Sequence, residues 1–253
     1  MTTGYNTDVS PGTGGIVDSH HHIWDPAKRS HEWLVALPSL NRAFDLSQLE
    51  QVARPLGVSA TVLVQVLNLP GGDKLVGVRH LVHNEPDPDW LRRQEVRRGI
   101  RAVCERGGTF DLLVTTRELP AAVDLAEDLE DATLVIDHIA KPEIAASTWE
   151  PWNSLISELA RNESVVCKIS GLVTEAGLGW SASVIRPYVE RVVELFGPNR
   201  LLFGSDWPVC TAVATYDQVL GLARDVLAPL VGQEIDAFFG GTARRIYKLA
   251  SVP

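Results

Sequence analysis

A run of three histidines near the N-terminus, within Asp18-Ser19-His20-His21-His22-Ile23-Trp24, has the residue types best suited to chemistry. It follows an apolar stretch, which predicts that the run ends a β-strand. Because side chains alternate along a strand, His20 and His22 point to one side, whereas His21 points away and packs behind the strand. Two imidazoles on one side can share a cation or polarise one carbonyl oxygen. Surface histidines, helix caps or an expression artefact are the alternatives, but the apolar start and the aspartate favour a functional pair.

A second candidate lies in the segment VIDHIAKP, residues 135–142. An Asp-His pair that closes an apolar strand is expected to place one polar side chain in the mouth of the fold and the other outside it. We expect His138 in the mouth, with Asp137 orienting a neighbouring side chain. A hydrogen-bonded core histidine is the alternative, and the residues alone leave both interpretations open.

The third candidate is Asp206, which follows the apolar run LLF and precedes Trp207. A carboxylate at the end of the last strand can act as a general base towards water, because burial and nearby imidazoles tune its acidity. The alternative is an aspartate that caps the next helix. Ser205 or Thr211 could cap that helix equally well, so we expect Asp206 to be catalytic.

Arg79 and His80 lie in the strand predicted at 75–82. A guanidinium near the mouth suits bidentate recognition of a substrate carboxylate, although a structural Arg–Asp pair is the alternative. Only one of these two neighbours can face inward. Lys168 and Ser170 are weaker candidates for lining the mouth.

The elements that must position these residues alternate between short apolar runs and helix-length segments. Alternation of this kind predicts a parallel sheet with right-handed crossovers, and polar residues at the strand ends favour a TIM-type (β/α) barrel. A doubly wound sheet is the alternative, but no glycine-rich phosphate loop follows the first strand. Only seven strands are predicted rather than eight, at 16–24, 59–67, 75–82, 109–115, 133–140, 164–171 and 200–206. The intervening helices are predicted at 44–56, 88–105, 118–129, 149–161, 183–196, 214–229 and 232–249.

Composition narrows the class of protein. The chain has 253 residues and a net charge of −9 without any Lys/Arg cluster, which disfavours nucleic acid as a partner. Three widely spaced cysteines indicate a reducing compartment rather than a disulfide framework. No signal peptide and no apolar run of ~18 residues is present, so we expect a soluble, cytoplasmic protein that contacts no membrane. Residues 1–15 are predicted to be a disordered tail, and 16–253 a single barrel domain.

Several segments together resemble the amidohydrolase superfamily, in its branch of amidohydrolase-related sugar lactonases. They are the D-x-H-x-H-x-W start, GVRHLV, DHIAKP, CKISGLVTE, LLFGSDWPVC and the closing FGGTAR. The branch includes fuconolactone and rhamnonolactone hydrolases and, more distantly, 2-pyrone-4,6-dicarboxylate lactonase. The resemblance spans nearly the whole chain from about residue 15. It implies a (β/α)-barrel enzyme that adds water to a cyclic ester, the lactone of a sugar acid or a dicarboxylate.

The resemblance also implies roles for individual residues. Asp206 takes a proton from the attacking water, and His138 shares the catalytic role. The histidines either hold one divalent metal, such as zinc, or hydrogen-bond the lactone carbonyl in a metal-independent enzyme. Arg79 grips an acidic substrate, and Trp24 and Trp207 form the pocket wall. The implied metal ligands are His20, His22, His138 and Asp206.

The chain departs from the family between Gln65 and Leu75, where only nine residues, 66–74, remain. The family normally has a further helix, strand and helix there, roughly 40 residues and a little more than one crossover unit. Loss of this unit explains the count of seven strands and predicts an incomplete barrel. A nine-residue link would have to run nearly extended to cross a strand's length of about 20 Å.

Two further functions remain open. One is a metal-dependent amidohydrolase or decarboxylase on the same barrel, which would need tightly bound metal. The other is a truncated, inactive paralogue that acts as a binding protein. An exposed strand edge at the gap would then favour pairing with another chain, and a homo-oligomer is one form of such pairing.

Overall fold

The computed structural model describes residues 14–64 and 75–249. Most of the predicted tail, residues 1–13, lies outside this part, as do the last four residues of the predicted domain. The short link 66–74, where the barrel unit is predicted to be missing, also lies outside the described residues.

Seven strands are present in the described part of the chain, and each falls within or close to a predicted apolar run. Val, Ile and Leu make up most of these runs, which is typical of parallel strands that are covered on both faces. In chain order the strands are β1 (Ile16–His21), β2 (Val58–Leu63), β3 (Gly77–His80), β4 (Thr109–Leu112), β5 (Leu134–Ile136), β6 (Val165–Ile169) and β7 (Leu201–Phe203).

Helices follow the strands and cover the outside of the sheet. Two of them begin with a capping box, in which the side chains of the N-cap residue and of the glutamine three positions later each accept from the other's backbone N–H. Asp45 and Gln48 form one at the start of α1, and Thr215 and Gln218 form the other at the start of α7. None of the described helices is both long and apolar enough to cross a bilayer. The α-helices are α1 (Leu46–Ala53), α2 (Gln94–Glu105), α3 (Leu119–Asp128), α4 (Trp152–Leu159), α5 (Leu172–Ala176), α6 (Ala182–Phe196), α7 (Tyr216–Val226), α8 (Gln233–Asp236) and α9 (Thr242–Ile246).

All strand pairings are parallel. Strands β3 to β7 form one sheet in chain order, and β1 pairs with β2. Strand β1 also meets the end of β7, where the backbone N–H of Asp206 donates to His20 at 2.8 Å and that of His22 donates to Trp207 at 2.7 Å. The resulting order is β2-β1-β7-β6-β5-β4-β3, and no pairing between β2 and β3 occurs among the described residues. The prediction of an incomplete (β/α) barrel with seven strands is confirmed.

The barrel interior below the strand ends is filled by a small apolar layer. Val17, Val135, Val166 and Leu202 project into it from four strands, and Tyr247 closes it from beneath. A second, larger core lies between the strands and the surrounding helices. Functional side chains therefore sit above a solid floor rather than in an open channel.

Candidate active site

Two histidine rings from the end of β1 face each other. His20 Nε2 and His22 Nε2 are 3.3 Å apart, and both side chains are buried. The prediction that they share one side of the strand therefore holds in the structure. His21 points elsewhere, and its buried ring nitrogens have no hydrogen-bond partner among the described residues.

The partners of the other ring nitrogens fix the protonation of this pair. His22 Nδ1 contacts the carbonyl oxygen of Val64, which can only accept, so Nδ1 carries the hydrogen. His20 Nδ1 lies 3.2 Å from the Asp137 carboxylate, whose negative charge favours a hydrogen on that nitrogen. With the hydrogen on Nδ1, the Nε2 of each ring carries a lone pair that points towards the other ring. Such an arrangement is repulsive unless a cation or a proton lies between the two nitrogens.

Asp206 brings a third donor atom to the pair. Its Oδ1 lies 3.4 Å from His22 Nε2 and 3.8 Å from His20 Nε2. Ligands bound tetrahedrally at 2.0–2.1 Å from zinc lie about 3.3 Å from one another. The three separations thus suit one small cation. In both rings Nδ1, the nitrogen turned away from Asp206, faces a protein oxygen, as is usual for histidines that bind a metal.

The backbone and charge of Asp206 both reflect this position. Its φ of 57° is left-handed, a region that aspartate enters more readily than most residues. Burial alone would raise the pKa of its carboxyl group, but the surrounding imidazoles of His138, His22 and His20 favour the ionised form and hold the pKa well below its usual range. The side chain is a carboxylate at neutral pH.

His138 reaches the site through an unusual turn. Four consecutive residues after β5, from His138 to Lys141, have positive φ between 47° and 61°. This conformation costs roughly 1–2 kcal/mol per residue, so tertiary contacts must hold it. The Trp152 indole N–H donates to the Ile139 carbonyl at 2.8 Å, and Lys141 pairs with Glu175 at 2.6 Å.

The imidazole of His138 lies beside that of His20, with ring centres 4.5 Å apart. Its Nδ1 is 2.8 Å from the Ser170 hydroxyl, and Gly171 lies against the ring, where a Cβ would come within 2.6 Å of Nδ1. Burial lowers the pKa of His138 to about 4, so the ring is neutral at neutral pH. Two sets of side chains could each hold a metal ion. One consists of His20, Asp137 and His138, and the other of His20, His22 and Asp206.

Asp137 does not lie outside the mouth, contrary to the expectation that only one member of the Asp-His pair would face inward. Its Oδ1 is 3.0 Å from Lys168 Nζ and 3.2 Å from His20 Nδ1, deep in the barrel. Alternation along β5 itself places it there, because Val135 also faces the interior. The left-handed turn then brings the imidazole of His138 inward as well.

The sequence analysis named Lys168 only as a weaker candidate for lining the mouth, and it missed both Asp111 and the buried ion network that these side chains form beneath His20. Lys168 lies 2.6 Å from Asp111 as well as 3.0 Å from Asp137, and the hydroxyl of Tyr247 donates to Asp111 at 3.3 Å. Burial disfavours the charged amine, but the two carboxylates raise the pKa of Lys168 well above its usual value. The available signal was a single charged residue inside each of two apolar runs, TFDLL and VVCKI.

Arg79 lies at the same site, at the end of β3. Its Nη1 is 3.3 Å from His20 Nε2 and 3.4 Å from an Asp137 oxygen. The buried Nε has no hydrogen-bond partner among the described residues. One end of the guanidinium, Nη1, therefore contacts His20 and Asp137, whereas the N–H of Nε has no acceptor among the described residues.

The two predicted wall residues belong to one aromatic cluster. Phe44 lies between them, with its ring centre 5.3 Å from Trp24 and 5.4 Å from Trp207. The indole N–H of Trp24 donates to the Leu40 carbonyl at 3.1 Å. Both tryptophans are buried and present little surface to a ligand. Phe44 comes from a remote loop and was not expected here.

The junction of β1 with β7 explains why these motifs contain small and hydroxyl residues. Asp18 accepts hydrogen bonds from the Ser205 hydroxyl at 2.6 Å and the Tyr216 hydroxyl at 2.9 Å. Gly204 allows β7 to approach His20 closely, since a Cβ there would come within 2.7 Å of the His20 Cβ. These contacts fix the distance between the two strand ends that carry the histidine pair and Asp206.

Comparison with known proteins places this site in context. A family model described as Amidohydrolase matches residues 48–249. An L-fucono-1,5-lactonase of Burkholderia ambifaria is 31% identical over 276 residues, covering 92% of this chain and 95% of the relative. That aligned stretch exceeds the 253 residues of this chain, so the relative contains residues that have no counterpart here.

Two further proteins are similar. An L-fucono-1,5-lactonase of Burkholderia multivorans is 37% identical over 190 residues, covering 70% of this chain and 64% of the relative. A crystal structure of an amidohydrolase from Burkholderia multivorans with bound zinc superposes with a TM-score of 0.85 at 29% identity, covering 93% of this chain and 99% of the other. The resemblance seen in the sequence motifs is confirmed. This chain belongs to the amidohydrolase family.

Proposed function

We propose that this protein is a lactonase, which opens the ring of a sugar lactone by adding water to its carbonyl carbon. The observation that carries the proposal is the convergence of His20 Nε2, His22 Nε2 and Asp206 Oδ1 within 3.3–3.8 Å of one another. The similarity to two fuconolactonases supports the choice of a cyclic ester as substrate.

The donor set fits a divalent metal, and we propose zinc, held by His20, His22 and Asp206. A bound metal would polarise the lactone carbonyl and acidify water. The chain's own contribution is to orient both imidazoles, through the Val64 carbonyl at His22 and the Asp137 carboxylate at His20. Further support comes from the similar amidohydrolase of Burkholderia multivorans, whose crystal structure contains bound zinc.

Asp206 is the proposed proton acceptor. Its carboxylate is ionised at neutral pH and can take a proton from water as the oxygen attacks. The new bond joins the water oxygen to the carbonyl carbon, and the bond from that carbon to the ring oxygen breaks. The ring oxygen takes the proton from Asp206 and leaves as a hydroxyl, which restores the carboxylate, and the product is an open-chain hydroxy acid. His138, neutral and next to His20, is proposed to contact the carbonyl oxygen.

Charge favours a neutral lactone over one that carries carboxylates. The cations near His20 already have carboxylate partners, so little positive charge remains to hold an acidic substrate. We therefore propose that the Arg79 guanidinium donates to an uncharged oxygen of the substrate, rather than pairing with a substrate carboxylate. The charged groups of the site are Asp111, Asp137, Asp206, Lys168 and Arg79.

The test is a pH-indicator assay across a panel of sugar lactones and 2-pyrone-4,6-dicarboxylate, run on protein stripped of metal and then reloaded with zinc. Each turnover at neutral pH releases one proton from the new carboxylic acid. We expect hydrolysis of at least one neutral sugar lactone, a fall in rate on chelation and recovery with zinc. Zinc-loaded protein that opens no lactone faster than its Asp206→Asn variant would contradict the proposal, and hydrolysis of only the dicarboxylate would contradict the assignment of a neutral substrate.

A further inference from the structure

A surface groove lies between the first turns of α1 and α7, beside the residue that follows Asp206. Its volume is about 590 Å³, large enough for a small organic ligand. The lining is partly aromatic and partly polar, and it contains no aspartate or glutamate. Its main residues are Arg42, Phe44, Gln48, Trp207, Thr215 and Gln218.

Two glutamines in this groove hold their side chains in a fixed orientation. The Oε1 of Gln48 accepts from the backbone N–H of Asp45 at 3.1 Å, and the Oε1 of Gln218 accepts from that of Thr215 at 2.8 Å. With the oxygen of each amide occupied, the NH2 group is left to donate. Neither NH2 group has a hydrogen-bond partner within the described parts of the chain. The groove therefore presents two donors whose rotamers are already set.

A cation completes this set of donors. The guanidinium of Arg42 lies 3.8 Å above the centre of the Phe44 ring. It forms no ion pair with a carboxylate of residues 14–64 or 75–249. In a chain with a net charge of −9, a groove lined by a cation and amide donors without any acid is a site for an anion.

We propose that this groove binds an open-chain sugar acid, the anionic product of the lactonase reaction, at a second site next to the catalytic one. The identity of the ligand rests on the proposed function. The carboxylate pairs with Arg42, and hydroxyl groups of the sugar acid accept from Gln48 and Gln218. The catalytic site, which is rich in carboxylates, repels the newly formed anion, and the groove takes it up.

The experiment measures binding of sodium gluconate to the zinc-loaded protein by isothermal titration calorimetry, with sorbitol as the uncharged comparison. Two variants remove the proposed contacts and leave the capping box of α7 in place. Arg42→Gln deletes the charge, and Gln218→Glu keeps the capping oxygen while replacing the NH2 donor by a carboxylate oxygen. Their matched controls make the same changes on exposed residues elsewhere, as Lys28→Gln and Gln233→Glu.

We expect the Kd for gluconate to rise at least tenfold in both groove variants, with no change in the two controls and at least tenfold weaker binding of sorbitol. The rate of lactone opening at low product concentration is unchanged in Arg42→Gln. Two results would contradict the groove as the binding site: equal gluconate affinity in wild type and Arg42→Gln, or a loss of affinity in Lys28→Gln as large as that in Arg42→Gln. Because binding needs no turnover, loss of the lactonase assignment and loss of this site are separate outcomes.

Discussion

The barrel has two arcs that differ in burial and in chemistry. From β4 to β7 every strand residue is buried, and the end of β7 joins β1 through the backbone of Asp206. On the other arc, β2 and β3 are half-exposed, with Leu63 at 38% and Val78 at 37% exposure. The three proposed metal donors all lie where β1 meets β7. The half-exposed arc contributes the guanidinium of Arg79, in β3, and the carbonyl of Val64, the residue after β2.

This difference shows how a barrel that lacks one helix–strand–helix unit can still bring the residues of the candidate active site together. The atoms that must be held to within a fraction of an ångström are tied together by the buried network around Lys168 and Asp137. Strands β2 and β3 contribute the Val64 carbonyl at His22 and the guanidinium of Arg79, but no metal donor. We expect substitutions on the buried arc to have much larger effects than those on the half-exposed arc.

The largest effect is expected from Asp206→Asn. Asparagine also tolerates the left-handed backbone, so folding is kept, but the amide cannot accept the proton of the attacking water. Lactone hydrolysis should fall by at least about 100-fold. The rate is measured by the pH-indicator assay, and Asp25→Asn, on the loop after β1, serves as the control. Equal rates in wild type and Asp206→Asn would mean that the base lies elsewhere.

The next largest effect is expected from Lys168→Met, on the same arc. The variant leaves the buried Asp111 carboxylate without its cation and Asp137 with only Arg79, at a cost of about 3–5 kcal/mol. Thermal unfolding followed by circular dichroism should show a Tm lower by on the order of 10 °C. Lys28→Met, whose side chain is 85% exposed, should change the Tm little. A stable Lys168→Met protein would remove the network as the reason for the rigidity of this arc.

His22→Ala should lower metal affinity by at least about tenfold, since even the outer partners of metal-binding histidines change affinity by 10–100-fold. Zinc content after dialysis is measured by mass spectrometry of the metal. The control comes from the half-exposed arc, where His80 stacks on Trp90 and pairs with Glu85 at 2.6 Å. His80→Ala should retain wild-type zinc. Equal metal content in both variants would reject His22 as a ligand.

The smallest effect is expected from Leu63→Thr, on the half-exposed arc. Much of this side chain already contacts water, so the free energy of unfolding should fall by less than about 1 kcal/mol. The same exchange at Leu112, which is fully buried in β4, should cost several times more, about 2–5 kcal/mol. Urea unfolding measures both. Similar losses would mean that the two arcs are equally well packed.

Periodicity predicted a substantial part of this molecule. Alternation along one strand placed His20 and His22 together, and alternating apolar runs predicted the seven strands, whereas the incomplete barrel was predicted from the unit that the family has and this chain lacks. The strands and the histidine pair could be predicted from the sequence because each depends on residues only a few positions apart in a regular backbone geometry.

Other features depend on contacts that periodicity does not encode. The left-handed turn at His138 contains no glycine, so nothing in the residue types signals it. The depth of Lys168 and Asp111 follows from how two strands face each other across the barrel. Phe44 contacts both tryptophans, although it lies twenty residues after Trp24 and far from Trp207 along the chain.

The break between β2 and β3 makes this chain useful for protein engineering. A helix–strand–helix segment taken from a longer lactonase and inserted there would complete the circular order of strands, while the metal donors stay on the opposite arc. The change in the free energy of unfolding between the natural and the completed chain would measure what a single repeat adds to a barrel. The contribution of one repeat to stability would then be measured by adding a repeat rather than by deleting one.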